Sequence, residues 1–301
     1  MHILQVRFTS PHSSCHSHTP RQTLTPSPAP PPSFNKYRIP AGGQPHDRMT
    51  RALTAELTHA LTLPVEAAGG GEWTGTRTRE RLRVHSVYFG GGTPSLARPE
   101  TVAAVLETIA RCADVGEGIE VSLEGNPTST ETAHLQSFRD VGVNRLSLGI
   151  QALTDRDLRF LGRDHSVSDA LASAQAAMSV FDRVSLDFIW GRPGQSVRDW
   201  EEELTRACTL GASHLSLYQL TVERGTPLFR AVEKAATVMP DSDTLADMFE
   251  RTSQIASQCG YEQYEVCSFA KNGDARNRSS HNSSYWLGLD YIGKAVGQGL
   301  V

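Results

Sequence analysis

A chain of 301 residues, 39% hydrophobic and 21% charged, can bury a sizeable core in one large domain or two small ones. Its formal net charge of -4 argues against nucleic acid or an acidic membrane surface as a partner, and no apolar run is long enough for a transmembrane segment. The five cysteines, Cys15, Cys112, Cys208, Cys259 and Cys267, are scattered and odd in number, which speaks against a disulfide framework and for a reducing compartment.

Residues 1–46 contain no Asp or Glu, many Ser and Thr, and a proline-rich run from Pro26 to Pro32. Such a segment is expected to be a disordered tail. Its acid-poor, Arg-bearing composition also matches a mitochondrial transit peptide, although the prolines break an amphipathic helix. Cys15, His16 and His18 resemble a fragment of a metal site but read as incidental in a tail.

From Asp47 the pattern changes, and residues 47–293 read as the folded part. Leu53, Leu57 and Leu61 place a helix over Arg51–Leu61, followed by a Gly-rich linker from Ala67 to Glu72. A regular alternation follows. Strands are predicted at Val84–Phe89, Ile119–Leu123, Arg145–Ile150, Val184–Phe188 and His214–Tyr218. Helices are predicted at Pro99–Cys112, Thr130–Val141, Asp169–Phe181, Val197–Leu210 and Thr244–Cys259. Five successive β-α units imply a parallel sheet covered by helices, with ligand-binding groups at the carboxyl ends of the strands. Residues 294–301 form a separate short tail.

The chemistry-bearing residues fall at those strand ends. Gly90-Gly91-Gly92-Thr93-Pro94-Ser95 leaves the first of these strands; its glycines allow a ligand close to exposed peptide N–H groups, or simply make a tight turn. Neither a Gly-Lys-Ser/Thr ending nor G-x-G-x-x-G is present, which disfavours a nucleoside triphosphate and a dinucleotide. Glu124, Gln151, Arg163 and Asp187 lie at or after the following strands. Together they suit a ligand carrying hydroxyls, an ammonium and a carboxylate. Taken alone, Asp187 could equally cap a helix or pair with Arg163.

The strings Tyr88-Phe-Gly-Gly-Gly-Thr-Pro-Ser95, Leu123-Glu-Gly-Asn-Pro127, Gly142-Val-Asn-Arg-Leu-Ser-Leu-Gly-Ile-Gln151 and Asp187-Phe-Ile-Trp-Gly-Arg-Pro193 resemble the coproporphyrinogen-oxidase-like branch of the radical S-adenosylmethionine (radical SAM) superfamily. Leu215–Pro227 and His281-Asn-Ser-Ser-Tyr-Trp286 narrow the resemblance to the HemW-type haem chaperones, over Ser33 to Gly293. The resemblance implies a partial (β/α)6 TIM-like barrel, with the first strand and a C-terminal domain missing. It implies S-adenosyl-L-methionine held by Gly91, Gly92, Thr93, Glu124, Gln151, Arg163 and Asp187. It further implies haem, with His281 as candidate iron ligand, a haem-accepting protein as partner, and a mitochondrial location, the cytoplasm being the alternative.

The family also carries C-x-x-x-C-x-x-C ahead of a string like Phe34-Asn-Lys-Tyr37. Here Pro32 stands where the last cysteine is expected. A [4Fe–4S] cluster with one open iron needs three protein thiolates, so no cluster, no metal site and no radical chemistry are expected of this chain. Loss of agreement at both ends suggests an alternative transcript or an incomplete gene model. Arg192 and Cys267 depart from the family pattern without touching the expected ligand contacts. The expected function is that of a haem chaperone relative. The alternatives are an oxygen-independent coproporphyrinogen III dehydrogenase, which needs the cluster, and a non-functional truncated product.

Overall fold

In the computed structural model, residues 2–9, 46–62, 81–91 and 93–296 are described; Cys15, His16, His18, the Phe34–Tyr37 string, the Ala67–Glu72 linker, Gly92 and residues 297–301 lie outside them. Nine strands among the described residues form one sheet: β1 (His2–Thr9), β2 (Arg83–Gly90), β3 (Asp114–Gly125), β4 (Arg145–Gln151), β5 (Val184–Trp190), β6 (His214–Gln219), β7 (Tyr261–Glu265), β8 (Ser268–Lys271) and β9 (Asp290–Val296). Their order is β7-β8-β6-β5-β4-β3-β2-β1-β9. Strands β2 to β6 are parallel and stand in sequence order, the arrangement of a partial TIM-like barrel. Among the described residues these five parallel strands match a six-strand barrel lacking its first strand, as the resemblance implies.

The helices that cover this sheet are α1 (His46–Thr62), α2 (Pro99–Cys112), α3 (Ser129–Thr132), α4 (Leu135–Asp140), α5 (Asp155–Phe160), α6 (Val167–Val180), α7 (Val197–Thr209), α8 (Pro227–Glu233), α9 (Ser242–Gln258) and α10 (Ser280–Trp286). Local chemistry sets their starts. Ser166 with Asp169, and Ser196 with Asp199, close capping boxes on α6 and α7, and Pro99 opens α2 at a position that needs no N–H. The single helix expected over Thr130–Val141 is two short ones, Ser129–Thr132 and Leu135–Asp140.

One expectation is corrected within the tail. His2–Thr9 form a strand, with Val6 fully buried. Leu4, Val6 and Phe8 alternate with Gln5 and Arg7, a period of two that the average composition of 46 residues conceals. This strand runs antiparallel to β2, Ile3 lying opposite Gly90, and β9 runs antiparallel to it in turn. It covers the edge of β2 without supplying the parallel first strand of the family.

The parallel strands divide sharply by face. Val87, Leu123, Leu146, Leu148, Leu186, Phe188 and Leu215 are buried on the helix-covered face. Ser86 and Tyr88, then Glu120, Ser122 and Glu124, then Arg145 and Ser147, then Ser185 and Asp187, then His214 and Ser216 occupy the alternate positions. The barrel interior is therefore polar and tiered, its floor at Glu120 and Arg145 and its mouth at Glu124 and Asp187. No helix among the described residues is long and apolar enough to cross a membrane.

Candidate functional site

At the mouth, the chain leaves β2 through Gly90 and Gly91. The Gly91 N–H donates to Glu124 Oε2 at 2.7 Å, and the Tyr88 hydroxyl donates to the other oxygen of the same carboxylate. Gly90 is obligatory here: a Cβ would stand 2.3 Å from the Tyr88 ring and 3.1 Å from the Glu124 carboxyl carbon. Burial, and then Glu124, hold the Tyr88 hydroxyl well above its usual range, so it stays a donor.

The next loop is tied to the first from below. Glu131, 4% exposed, accepts from the Ser95 hydroxyl, from the Asn126 N–H at 2.7 Å and from Thr128 Oγ1 at 3.3 Å. Asn126 Nδ2 then reaches Thr93 Oγ1 at 3.3 Å. The β2–η turn, a 3-10 turn at Pro94–Leu96, and the Glu124–Asn126 bend are thus one unit.

Asp187 is caged by hydroxyls. Ser147 Oγ donates to Oδ2 at 2.7 Å and Ser185 Oγ to Oδ1 at 2.9 Å, with Ser216 also bonded to the carboxylate. The register makes this possible, since Ser147 stands opposite Ser185 and Asp187 opposite Ser216. Burial raises its pKa to about 6, against the pull of the three serines, and Glu124 adds a smaller rise. Its partners are serines, so the alternative pairing with Arg163 is replaced by this cage.

Gln151 ends β4 with φ of 71°, a left-handed conformation that is uncommon and costly for a residue with a Cβ. Its amide folds back over Gly149, where a Cβ would lie 2.5 Å from Nε2. A correction applies to Arg192. Its Nη1 donates to Gln151 O at 3.4 Å and to Ile189 O at 2.9 Å, so it does touch an expected ligand residue. The guanidinium, 2% exposed, pairs with Glu203 at 2.5 Å and Asp157 at 3.2 Å, and Glu203 also accepts the Leu153 N–H at 2.5 Å. This network clamps the turn that carries Gln151. Cys267 likewise lies within electrostatic reach of Asp187, and burial pushes its thiol up to about 12.

Arg163 follows α5. His165, two residues on, meets Ile150 O at 3.4 Å, which brings this loop to the carboxyl end of β4. Burial lowers the Arg163 pKa, and its Nε is buried with no hydrogen-bond partner. The structure thus brings Gly91, Glu124 and Asp187 together with Tyr88, links Thr93 through Asn126, and sets Gln151 at the end of β4; Arg163 lies in the loop whose His165 meets Ile150 O.

His281 takes a different place from the expected one. It is 4% exposed, its ring stacked on Tyr88 at 4.1 Å between centroids and 8° between planes, with Tyr285 edge-on at 5.3 Å. Its N–H donates to Glu120 Oε1 at 3.0 Å. The ring is packing material beneath the mouth, whereas Trp286, at the end of the same short helix, and Leu287, just after it, are 68% and 72% exposed.

Sequence reasoning missed Tyr88, Ser147, Ser185, Ser216 and Arg192 as site builders. The available signal was the spacing of two that puts each of the strand residues on the same face as Glu124 or Asp187. Of the described cysteines, Cys208 and Cys259 are side-chain neighbours, but no third joins them. Among the described residues no three His, Cys, Asp or Glu side chains are grouped as metal donors, so these residues do not fit a cluster held by three thiolates.

Residues 76–207 match the model of the Radical SAM superfamily. Over 266 residues the chain is 41% identical to "Radical S-adenosyl methionine domain-containing protein 1, mitochondrial" of Danio rerio, covering 88% of this chain and 55% of that protein. It is 33% identical over 265 residues to the "Heme chaperone HemW" of Escherichia coli, covering 88% and 64%. The chain therefore spans little more than half the length of these relatives. Its fold is similar to that of coproporphyrinogen III oxidase (HemN) from Escherichia coli, with a TM-score of 0.62 at 23% identity over 77% of this chain and 50% of that one. By these likenesses residues 76–207 form a Radical SAM domain, and the chain is a homologue of the HemW haem chaperones and the mitochondrial Radical SAM domain-containing protein 1.

Proposed function

We propose that the barrel mouth binds S-adenosylmethionine and that the chain serves haem handling in mitochondria as a chaperone-type protein, without radical chemistry of its own. The observation that carries the ligand reading is the combination of two carboxylates, Glu124 and Asp187, with a buried Arg163 Nε that has no hydrogen-bond partner. A buried unsatisfied donor is costly and calls for an acceptor. A ligand bearing a carboxylate at one end and cationic and hydroxyl groups at the other satisfies both sides. Arg163 would hold the carboxylate, Glu124 and Asp187 the cationic and hydroxyl groups, and the glycines would let the ligand lie against the backbone.

S-adenosylmethionine supplies radical initiation only beside a reduced cluster, and the described residues do not fit one. That favours the chaperone reading over the coproporphyrinogen dehydrogenase. Haem and a haem-accepting protein are the partners this reading implies, by likeness to HemW. Trp286 and Leu287 offer the porphyrin an exposed apolar surface, which His281 does not.

Calorimetric titration with S-adenosylmethionine tests the mouth. Glu124→Ala and Asp187→Ala should each weaken binding at least tenfold; equal affinity in both would overturn the assignment. After treatment with iron and sulfide, the chain should release no 5′-deoxyadenosine above a protein-free control.

A further inference from the structure

Below Asp187, a line of hydrogen bonds runs down through the barrel interior. Ser185 Oγ stands 2.9 Å from Asp187 Oδ1 and 2.8 Å from His214 Nδ1. His214 Nε2 stands 2.8 Å from the Tyr264 hydroxyl, which accepts the Ser279 N–H at 2.9 Å. His214 is 1% exposed, and pairing of β5 with β6 sets it directly opposite Ser185.

Proton counting fixes the direction of this line. An ionised Asp187 can only accept, so Ser185 spends its single proton on it. Ser185 must then accept from His214, which requires the proton on Nδ1. The lone pair on Nε2 is left to accept from Tyr264 O–H, whose oxygen in turn accepts from Ser279. Every donor points the same way, toward the mouth. Burial, followed by the neighbouring Arg145, depresses the His214 pKa well below the usual range, so the ring stays neutral and keeps this single tautomer.

We infer that His214 is a positioning residue: held as the Nδ1–H tautomer by Tyr264, it fixes Ser185 as a donor to Asp187 and so holds the mouth carboxylate aimed at the cationic or hydroxyl group of a ligand. The consequence for binding rests on the S-adenosylmethionine reading of the mouth; the relay itself does not. The other groups facing Asp187 are Tyr88 from β2, Glu124 from β3, Ser147 from β4, Ser216 and Tyr218 from β6, and Cys267 before β8. Ser216 Oγ also stands 3.0 Å from Ser185 Oγ and bonds the same carboxylate, so in this line it donates and leaves the Ser185 proton on Asp187.

The test uses the full chain, labelled with 15N-histidine and 13C-aspartate. Long-range 1H–15N spectra at pH 7 to 8, where Asp187 is ionised, should show His214 neutral with the proton on Nδ1. A proton on Nε2 in the wild-type chain overturns the inference without any variant. Tyr264→Phe keeps the ring and removes the O–H; it should release the second tautomer. In Ser185→Ala the Asp187 carboxyl midpoint should rise by about one pH unit, as expected for losing a hydrogen bond to the charged form. Tyr264→Phe should move it in the same direction by a smaller step. A Tyr264→Phe midpoint identical to wild type, with Ser185→Ala shifted, confines the effect to Ser185 and overturns the role of His214. Absence of S-adenosylmethionine binding by the wild-type chain would overturn the ligand reading and leave the relay to be decided by the carboxyl titration.

Discussion

Replacing Asp187 by Asn should stabilise the fold at alkaline pH and lose about half of that advantage on acidification to pH 5. Burial lifts the carboxyl from 3.8 to about 6 in the folded chain. A raised acid favours the folded state while protonated, and that contribution disappears as pH rises through the folded value. At pH 8 the ionised Asp187 therefore costs about 3 kcal/mol relative to its unfolded state, from roughly two pH units at 1.36 kcal/mol each. At pH 5 the folded carboxyl is mostly protonated and the unfolded one mostly ionised, which returns about 1.4 kcal/mol to the wild type. The Asn variant shows no such term. Urea melts of both proteins at the two pH values give the quantity directly. The stability difference between variant and wild type should fall by about 1.4 kcal/mol from pH 8 to pH 5. Any constant offset from how Asn fits the serine cage cancels in that comparison. A difference independent of pH would mean that Asp187 does not titrate in this window, and the desolvation argument would be wrong.

Three further outcomes follow from the geometry. Glu203→Ala strands the buried Arg192 guanidinium and should cost about 3–5 kcal/mol in urea melts, whereas Arg192→Leu combined with Glu203→Leu should recover most of it; a single-variant cost near zero would show that the pair does not clamp the Gln151 turn. Gly149→Ala puts a Cβ where the Gln151 amide now lies, at 2.5 Å, and should weaken S-adenosylmethionine binding by about tenfold with little change in melting temperature. His281→Ala removes a buried stacked ring and should cost about 2–4 kcal/mol while leaving the Soret band of added haem in place, and Trp286→Ala should do the reverse, lowering haem affinity with stability changed by less than about 0.5 kcal/mol.

The alternation of strands and helices was legible because each β5-like run of Val, Ile, Leu and Phe ends in a turn and meets a capped helix. Asp187 and Glu124 were legible as the acidic residues that break those runs at their carboxyl ends. The serines were not, because Ser147, Ser185 and Ser216 carry a turn-forming residue type into strand interiors, where only the register shows that they converge on one carboxylate. Glu120 was invisible for a different reason. Its partners Ser279, Ser280 and His281 lie about 160 positions away, and local periodicity carries no information about such pairings. The position of His281 failed with it, since the Glu120 carboxylate on the first N–H groups of α10 is what turns that ring inward against Tyr88.

Charge is distributed unevenly between the floor and the mouth of the barrel. Arg145 and Arg183 both lie 3.8 Å from Glu120, and that carboxylate also takes two α10 N–H groups. The cations nearest the barrel axis are thus committed at the floor. Arg192 is likewise committed to Glu203 and Asp157 outside the mouth. What reaches Asp187 is a set of neutral hydroxyls, and Glu124 receives a neutral phenol and one peptide N–H. Neutral donors orient a carboxylate and offset part of its desolvation, but they leave its charge uncompensated. Glu124 lies within electrostatic reach of Asp187 and adds to the cost of ionising it. A cation placed against Asp187 would offset that cost, so the proposed ligand reading and the raised Asp187 pKa rest on the same desolvation.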